Sequence, residues 1–433
     1  MLGFLPGLKV LVFSKNISIN LKFLSVILLK IAVNYGAVAV YASLGSFSLR
    51  QRSAKEFDKD SFAEGVAYAH KFGKKLYATI NGFLTNGQLE PTERHIKFLK
   101  ETGVDGFIIA TPSVMSLAKK IAPEIPIHIS TQANVLNYMD AEIYQSLGAT
   151  RIVAAREMTL KDAVLIKEHL PNLEIEIFVH GSMCFAYSGR CLISAVQSGR
   201  FSNRGSCAND CRFKYELYAK NEENGTLFRL EEKENDGTYI MNSKDLNLSS
   251  HIEKIIATGA IDSFKIEGRT KSEYYAACAT RTYRMAIDDA ISGKFRAEIY
   301  ESELNTLKSR GFTDGYLIHK PYERDNTQNL DTSIEDGTHQ VSAISNDGEF
   351  ISVKDKIAPN DEFEIFAPLN SKIEICDNEI GQIYENNGKF CLKFKKLLSK
   401  TNKEFSEIHS GNLNEIKLPA NLPEFSFLRK EIK

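Results

Sequence analysis

With 433 residues, 43% of them hydrophobic and 25% charged, the chain has the composition of a soluble globular protein and the length for two or three domains. Its net charge of −1 excludes a polycation, so a nucleic-acid site has to be a local basic patch.

The first element is the least regular. "MLGFLPGLKVLVFSKNISINLKFLSVILLK" is apolar, with Lys9, Lys15, Lys22 and Lys30 dispersed through it. Its apolar run Phe23–Leu29 is far too short to span a bilayer. No compact apolar region followed by a small-residue cleavage site marks a signal peptide. The expectation is a cytoplasmic protein with no membrane partner, opening on an atypical segment at 1–30.

From about residue 37 to 270 short β-branched runs alternate with amphipathic helices. The runs are "AVAVYAS", "KLYATIN", "DGFIIAT", "IPIHIST", "RIVAARE", "LEIEIFVHG", "YIMNSKDL" and "DSFKIEGR". Several of the helices between them end in Gly, as helix C-termini do. Continuous apolar strands alternating with helices predict a parallel sheet, and about eight such units predict an α/β fold of the (β/α)8 TIM-like barrel type over 31–300. No strand leads into Gly-x-Gly-x-x-Gly, which counts against a dinucleotide-binding sheet. A connecting region follows at 301–335. Over 336–433 the period changes to short strands with Asn-Asp-Gly and Asn-Asn-Gly turns, which predicts a small C-terminal antiparallel β-barrel domain.

In such a barrel, chemistry belongs at the C-terminal ends of the strands. Asn81, Gln132, Arg156, Asn242 and Lys244 stand at those ends and are the substrate-pocket candidates; His180, Glu267 and Arg269 are the catalytic candidates. Thr131 and Glu157 share the same positions. Singly, each is as readily explained by a loop backbone that needs a partner; as a set they argue for a pocket.

Four of the seven cysteines fall in one window at 180–217: Cys184, Cys191, Cys207 and Cys211, spaced Cys-x6-Cys-x15-Cys-x3-Cys. Cys278, Cys376 and Cys391 sit in helix-like or strand-like runs and read as core. A structural zinc site pairs its ligands in short knuckles, which only Cys207 and Cys211 approach. Scattered thiolates suit an iron–sulfur cluster, and a redox dithiol lacks its Cys-x-x-Cys. Between His180 and Tyr215 the window also holds Arg190, Arg200, Arg204, Arg212 and Lys214 against the one acid Asp210, interleaved with rings that include Tyr187 and Phe201. Arginine for phosphate and rings for stacking are what an unstacked RNA base requires, and the same charges would also stabilise an anionic thiolate cluster.

"EIFVHGSMCFAYSGRCLIS", "SNRGSCANDCRFKYEL", "YIMNSKDLNL" and "DSFKIEGRTKSEYY" together resemble the collagenase-like peptidase family (U-32), over roughly residues 31 to 425. The resemblance is strongest to the family's tRNA uridine 5-hydroxylation branch. It implies a 4Fe–4S cluster on Cys184, Cys191, Cys207 and Cys211, with tRNA as substrate and prephenate as oxygen donor. The family's name implies proteolysis instead, but the chain has no Gly-x-Ser-x-Gly and no His-Glu-x-x-His. Two departures from the family stand out. Asn209-Asp210 replaces a common Gln-Pro. The Pro-Ala-Gly turn after the first strand is absent, so the first barrel strand reads as missing, replaced or misread, and residues 1–25 are expected to pack poorly.

Overall fold

Alternation of apolar strands and one-sided helices leaves each strand with both faces to bury, and the chain meets that demand by closing a sheet on itself. The computed structural model describes residues 18–23, 25–44, 57–202, 206–230, 241–268, 271–319, 327–329, 334–345 and 347–432. In chain order, β1 (Ser18–Phe23), α1 (Val26–Asn34), β2 (Ala39–Ala42), α2 (Lys59–Lys71), β3 (Lys75–Ile80), α3 (Leu89–Thr102) and β4 (Gly106–Ile109) form the first half. Next come α4 (Pro112–Ile121), β5 (Ile127–Ile129), α5 (Tyr138–Ser146), β6 (Ala149–Val153), α6 (Leu160–His169) and β7 (Glu174–Ser182). The excursion after β7 carries α7 (Ile193–Ser198), a hairpin of β8 (Leu217–Lys220) and β9 (Leu227–Leu230), and β10 (Asp245–Asn247). Then α8 (Ile252–Ala257), β11 (Ser263–Glu267) and α9 (Glu273–Ser292) complete the barrel, and α10 (Ala297–Leu304) leads to β12 (Phe312–Thr313). Strands β1 to β7 pair in sequence order, and β11 pairs in parallel with both β1 and β7, which closes an eight-stranded parallel barrel.

Two strand assignments need correction. β1 is present, in parallel register with β2 and β11, so the first barrel strand is not missing; residues 1–17 and 24 lie outside the described residues. "YIMNSKDL" is not a barrel strand. β7 runs for nine residues and overhangs the barrel rim, and β10 adds antiparallel to that overhang, Asn247 opposite His180 and Asp245 opposite Ser182. An unpaired strand end offers open backbone donors and acceptors, and a short segment satisfied them there instead of in the barrel wall.

The barrel interior holds a buried ion cluster. Glu176 on β7 accepts from Lys265 Nζ at 2.6 Å, Arg151 Nη1 at 3.2 Å and Ser263 Oγ at 2.8 Å. Burial by itself would raise the Glu176 carboxyl, but the Lys265 ammonium and the Arg151 guanidinium outweigh it and bring it down to about 2. Lys265 lies 3.9 Å from the Tyr41 ring centre.

The C-terminal region is an eight-stranded antiparallel sheet that curls, with the edge strands Cys376–Asp377 and Ile416–Lys417 unpaired to each other among the described residues. The small antiparallel β domain expected here is thus present, as a curled half-barrel. It packs on α1 and α9: the Tyr35 hydroxyl donates to the carbonyls of Phe366 and Phe425, and Arg429, fully buried, meets Tyr274, Glu303 and Glu364. Cys278 is core as expected, while Cys376 and Cys391 are half-buried in the C-terminal sheet.

Candidate functional site

Two glycines fix the cysteine window to the barrel rim. Gly181 has φ +109°, and a Cβ there would come within 2.3 Å of the Glu267 carbonyl, so β7 and β11 can approach only because the residue after His180 is Gly. Gly189, with φ +74°, lies against the Gln132 carbonyl, where a Cβ would sit at 2.4 Å. Ser188 beside it is buried; its N–H donates to Glu157 Oε1 at 2.9 Å. The loop carrying Cys184 and Cys191 is thereby pinned to the ends of β5 and β6.

Further along, α7 packs on the turn Asp210–Arg212, and the Tyr215 hydroxyl donates to the Asp210 carbonyl at 2.7 Å. Cys184 is exposed; Cys191, Cys207 and Cys211 are half-buried. Burial pushes the Cys211 thiol up to about 11; Arg212 opposes this, while the nearby thiols of Cys184, Cys207 and Cys191 add to it. The fold therefore makes neighbours of the four thiols. Among the described residues no three His, Cys, Asp or Glu side chains form a ready ion cage, so the thiols are close without being closed around a point.

A small cavity opens at the barrel mouth. Asn81, Gln132, Arg156 and Glu267 line it as the sequence suggested, joined by Cys184 and Lys265. Asn81 Nδ2 donates to Ser130 Oγ at 3.1 Å, and the Arg156 guanidinium stacks 4.1 Å from the Phe178 ring centre. Asn242 and Lys244 are not brought here. Asn242 is buried and donates to the Asn329 carbonyl, and the Lys244 N–H donates to the Thr327 carbonyl, because their segment leads into β10 and not into a barrel strand. Arg269 and Arg204 lie outside the described residues.

The His180 ring does not line this cavity either. It is enclosed by Tyr275, Tyr283 and Phe312, each ring centre 5.5 Å away, and neither ring nitrogen has a hydrogen-bond partner. Burial brings its pKa down to about 3, with Asp245 opposing and Lys271 adding. A folded-state value below the unfolded one means that stability is whole above about pH 6.5 and falls as acid protonates the unfolded chain. His180→Phe should therefore flatten part of the loss between about pH 6.5 and pH 3. Urea unfolding at stepped pH checks this, and an unchanged acid slope would contradict it.

Among the RNA-contact candidates, Arg190, Lys214, Tyr187 and Phe201 are exposed, and Arg200 and Arg212 are half-buried. A second, outer groove runs beside Cys184, between Tyr187, Phe185, Glu157 and Tyr316. Tyr316 comes from the connecting region, and Lys265 from mid-strand. Neither was singled out from sequence: Tyr316 lies far from every motif, and Lys265 reads as one more charged residue in a strand. No helix among the described residues is long and apolar enough to cross a membrane.

A family model described as Peptidase family U32 matches residues 25–327. The chain is 57% identical over 406 residues to tRNA hydroxylation protein P of Helicobacter pylori (strain ATCC 700392 / 26695), covering 94% of this chain and 96% of that one. It is 35% identical to the Escherichia coli K12 protein of the same name over 401 residues, covering 82% and 87%. A solved U32 peptidase, Mk0906, overlaps 59% of this chain and 94% of its own at TM-score 0.39 and 16% identity. The match takes in the barrel from α1 onward, the whole cysteine window and the excursion that returns to β11, so this chain is a member of peptidase family U32.

Proposed function

We propose that the protein is an enzyme that hydroxylates tRNA, at the 5-position of the wobble uridine, with prephenate as oxygen donor and a 4Fe–4S cluster as resident cofactor. The observation that carries this reading is the position of Cys184, which lines both the barrel-mouth cavity and the outer groove, with the other three thiols behind it. Relatives named for tRNA hydroxylation at 57% and 35% identity support it.

The donor set fits such a cluster: four soft thiols with Arg212 beside them to offset their negative charge. Cys184, Cys191, Cys207 and Cys211 would hold it, and when bound it supplies a redox centre at the rim. The residues around it do the rest. Arg156 and Lys265 stand in the small cavity with Glu267; Lys265 is already paired with Glu176, so the Arg156 guanidinium is the group best placed to meet a carboxylate of prephenate. Asn81, Ser130 and Gln132 supply neutral hydrogen-bonding groups, and Tyr41, Ile108 and Phe178 supply apolar and ring surface. Exposed Arg190 and Lys214 meet RNA phosphate, so binding weakens as salt rises.

Mass spectrometry of bulk tRNA from a deletion strain, with and without the gene restored, tests the reading. Hydroxylated uridine should vanish on deletion and return with the gene. If it is unchanged while a peptide-cleaving activity disappears, proteolysis is the function.

A further inference from the structure

The outer groove joins the cysteine-window motif to Tyr316, a residue that no sequence motif announced. It has a volume of about 300 Å³, and Cys184 forms one end of it. Phe185 and Tyr187 present exposed rings along it, 49% and 64% accessible. Its polar end is made by Glu157, Thr159 and Tyr316. The Tyr316 hydroxyl has Glu157, Tyr187 and Cys184 as its charged or ionisable neighbours.

Glu157 is held there in an unusual condition. Its Oε1 is committed to Ser188, accepting from the backbone N–H at 2.9 Å and from the hydroxyl at 3.4 Å. Its Oε2 is closed off from water and has no hydrogen-bond partner. A buried carboxylate oxygen without a donor is costly, and one already stripped of water gains most when a donor arrives. The groove thus has an uncommitted acceptor just behind its wall, a hydroxyl close to it, and rings beside both. That combination matches the edge and face of a pyrimidine.

The two pyrimidines differ at the atom such an acceptor would meet. Uracil presents N3–H, a donor, between two carbonyls. Cytosine presents N3 as a lone pair. A carboxylate held in register with N3 therefore accepts from the first and meets a lone pair on the second, whose nearest donor, N4–H2, lies one position along the edge; a tyrosine hydroxyl that donates to a flanking uracil carbonyl fixes that register. We propose that this groove seats the target base and that Glu157, with Tyr316, selects uridine over cytidine by accepting from N3–H. This rests on the uridine reading above and adds the residues that enforce it. Tyr187 supplies the stacking face without regard to base. Reaching Oε2 requires a local side-chain rearrangement at the groove wall on binding.

The test uses anaerobically purified holoprotein and two fluorescent anticodon stem-loops that differ only in U or C at the wobble position. Anisotropy titrations at one fixed salt concentration should show the wild type preferring the U loop by about tenfold or more. Glu157→Gln, whose amide can turn either a donor or an acceptor to the base, should bring that ratio near one. Tyr316→Phe should lower it by about threefold, and Tyr187→Ala should weaken both loops alike. Equal melting temperatures for variants and wild type show that the fold is kept; if Glu157→Gln melts early, Tyr316→Phe carries the comparison. A wild type that hydroxylates tRNA and prefers the U loop, with both Glu157→Gln and Tyr316→Phe keeping that preference in full, overturns the assignment and leaves the function intact. A wild type that binds neither loop and restores no hydroxylated uridine overturns the function and the assignment together.

Discussion

Cys191→Ala and Cys211→Ala proteins purified without oxygen are expected to lose their iron and sulfide together, and to leave tRNA hydroxylation at the level of the deletion strain. The argument is one of supply and neighbourhood. The window provides four thiols and no fifth, and Cys211 has the other three around it. A four-iron cluster uses one thiolate per iron, so losing one ligand opens an iron to solvent and exchange. Cys278→Ala is the control. Its thiol is buried between α9 and α10 with Glu303 and Thr306, far in the fold from the window, and its removal should leave iron and sulfide unchanged. Iron and sulfide analysis, with the visible charge-transfer absorbance, reads the result. Stoichiometric zinc without sulfide in the wild type, or full cluster content in both variants, would refute the cluster.

Glu176→Gln is expected to destabilise the barrel by about 3–5 kcal/mol at pH 7, the range for removing one partner of a buried ion pair. Lys265 and Arg151 converge on this carboxylate inside the barrel, and the amide leaves the buried Lys265 ammonium without its ion-pair partner, with only the weaker pull of Glu267. Arg151 keeps Glu174 at 2.7 Å, so the loss falls on Lys265. Adding Lys265→Met should therefore recover a good part of the cost. The pH dependence has a definite sign. The folded-state pKa of Glu176 is about 2, below its ordinary value of 4.5, so its contribution is whole above about pH 4.5 and is lost as pH falls toward 2. The variant should lack that part of the acid loss. Urea unfolding of the single and double variants checks all three statements, and a single-variant cost under about 1 kcal/mol would mean that the cluster tolerates an unpaired cation. Because Lys265 also lines the barrel-mouth cavity, Glu176 positions a group of the site while it holds the barrel interior.

Strand and helix runs are local properties, written in the spacing of apolar residues, and most of the barrel was legible for that reason. "KLYATIN", "DGFIIAT" and "LEIEIFVHG" are strands because β-branched runs bounded by turns have no better local choice, and each lies where expected. The C-terminal turns were equally plain: Asn-Asn-Gly at 386–388 joins two paired strands. The four clustered cysteines and the basic rings among them were visible as composition. Pairing is a different matter, because a backbone edge accepts any segment that reaches it in register. Sequence could not say that Ser18–Phe23 would close the barrel while Asp245–Asn247 merely lengthened the end of β7. Nor could it say which way a strand-end side chain would turn. His180 went into a cage of rings while Glu267 faced the cavity, because β-strand neighbours take opposite faces and the overhang of β7 determined what lay behind each. The groove was decided last of all, since Tyr316 reaches Glu157 and Cys184 only after the barrel has closed and brought the connecting region back across its rim.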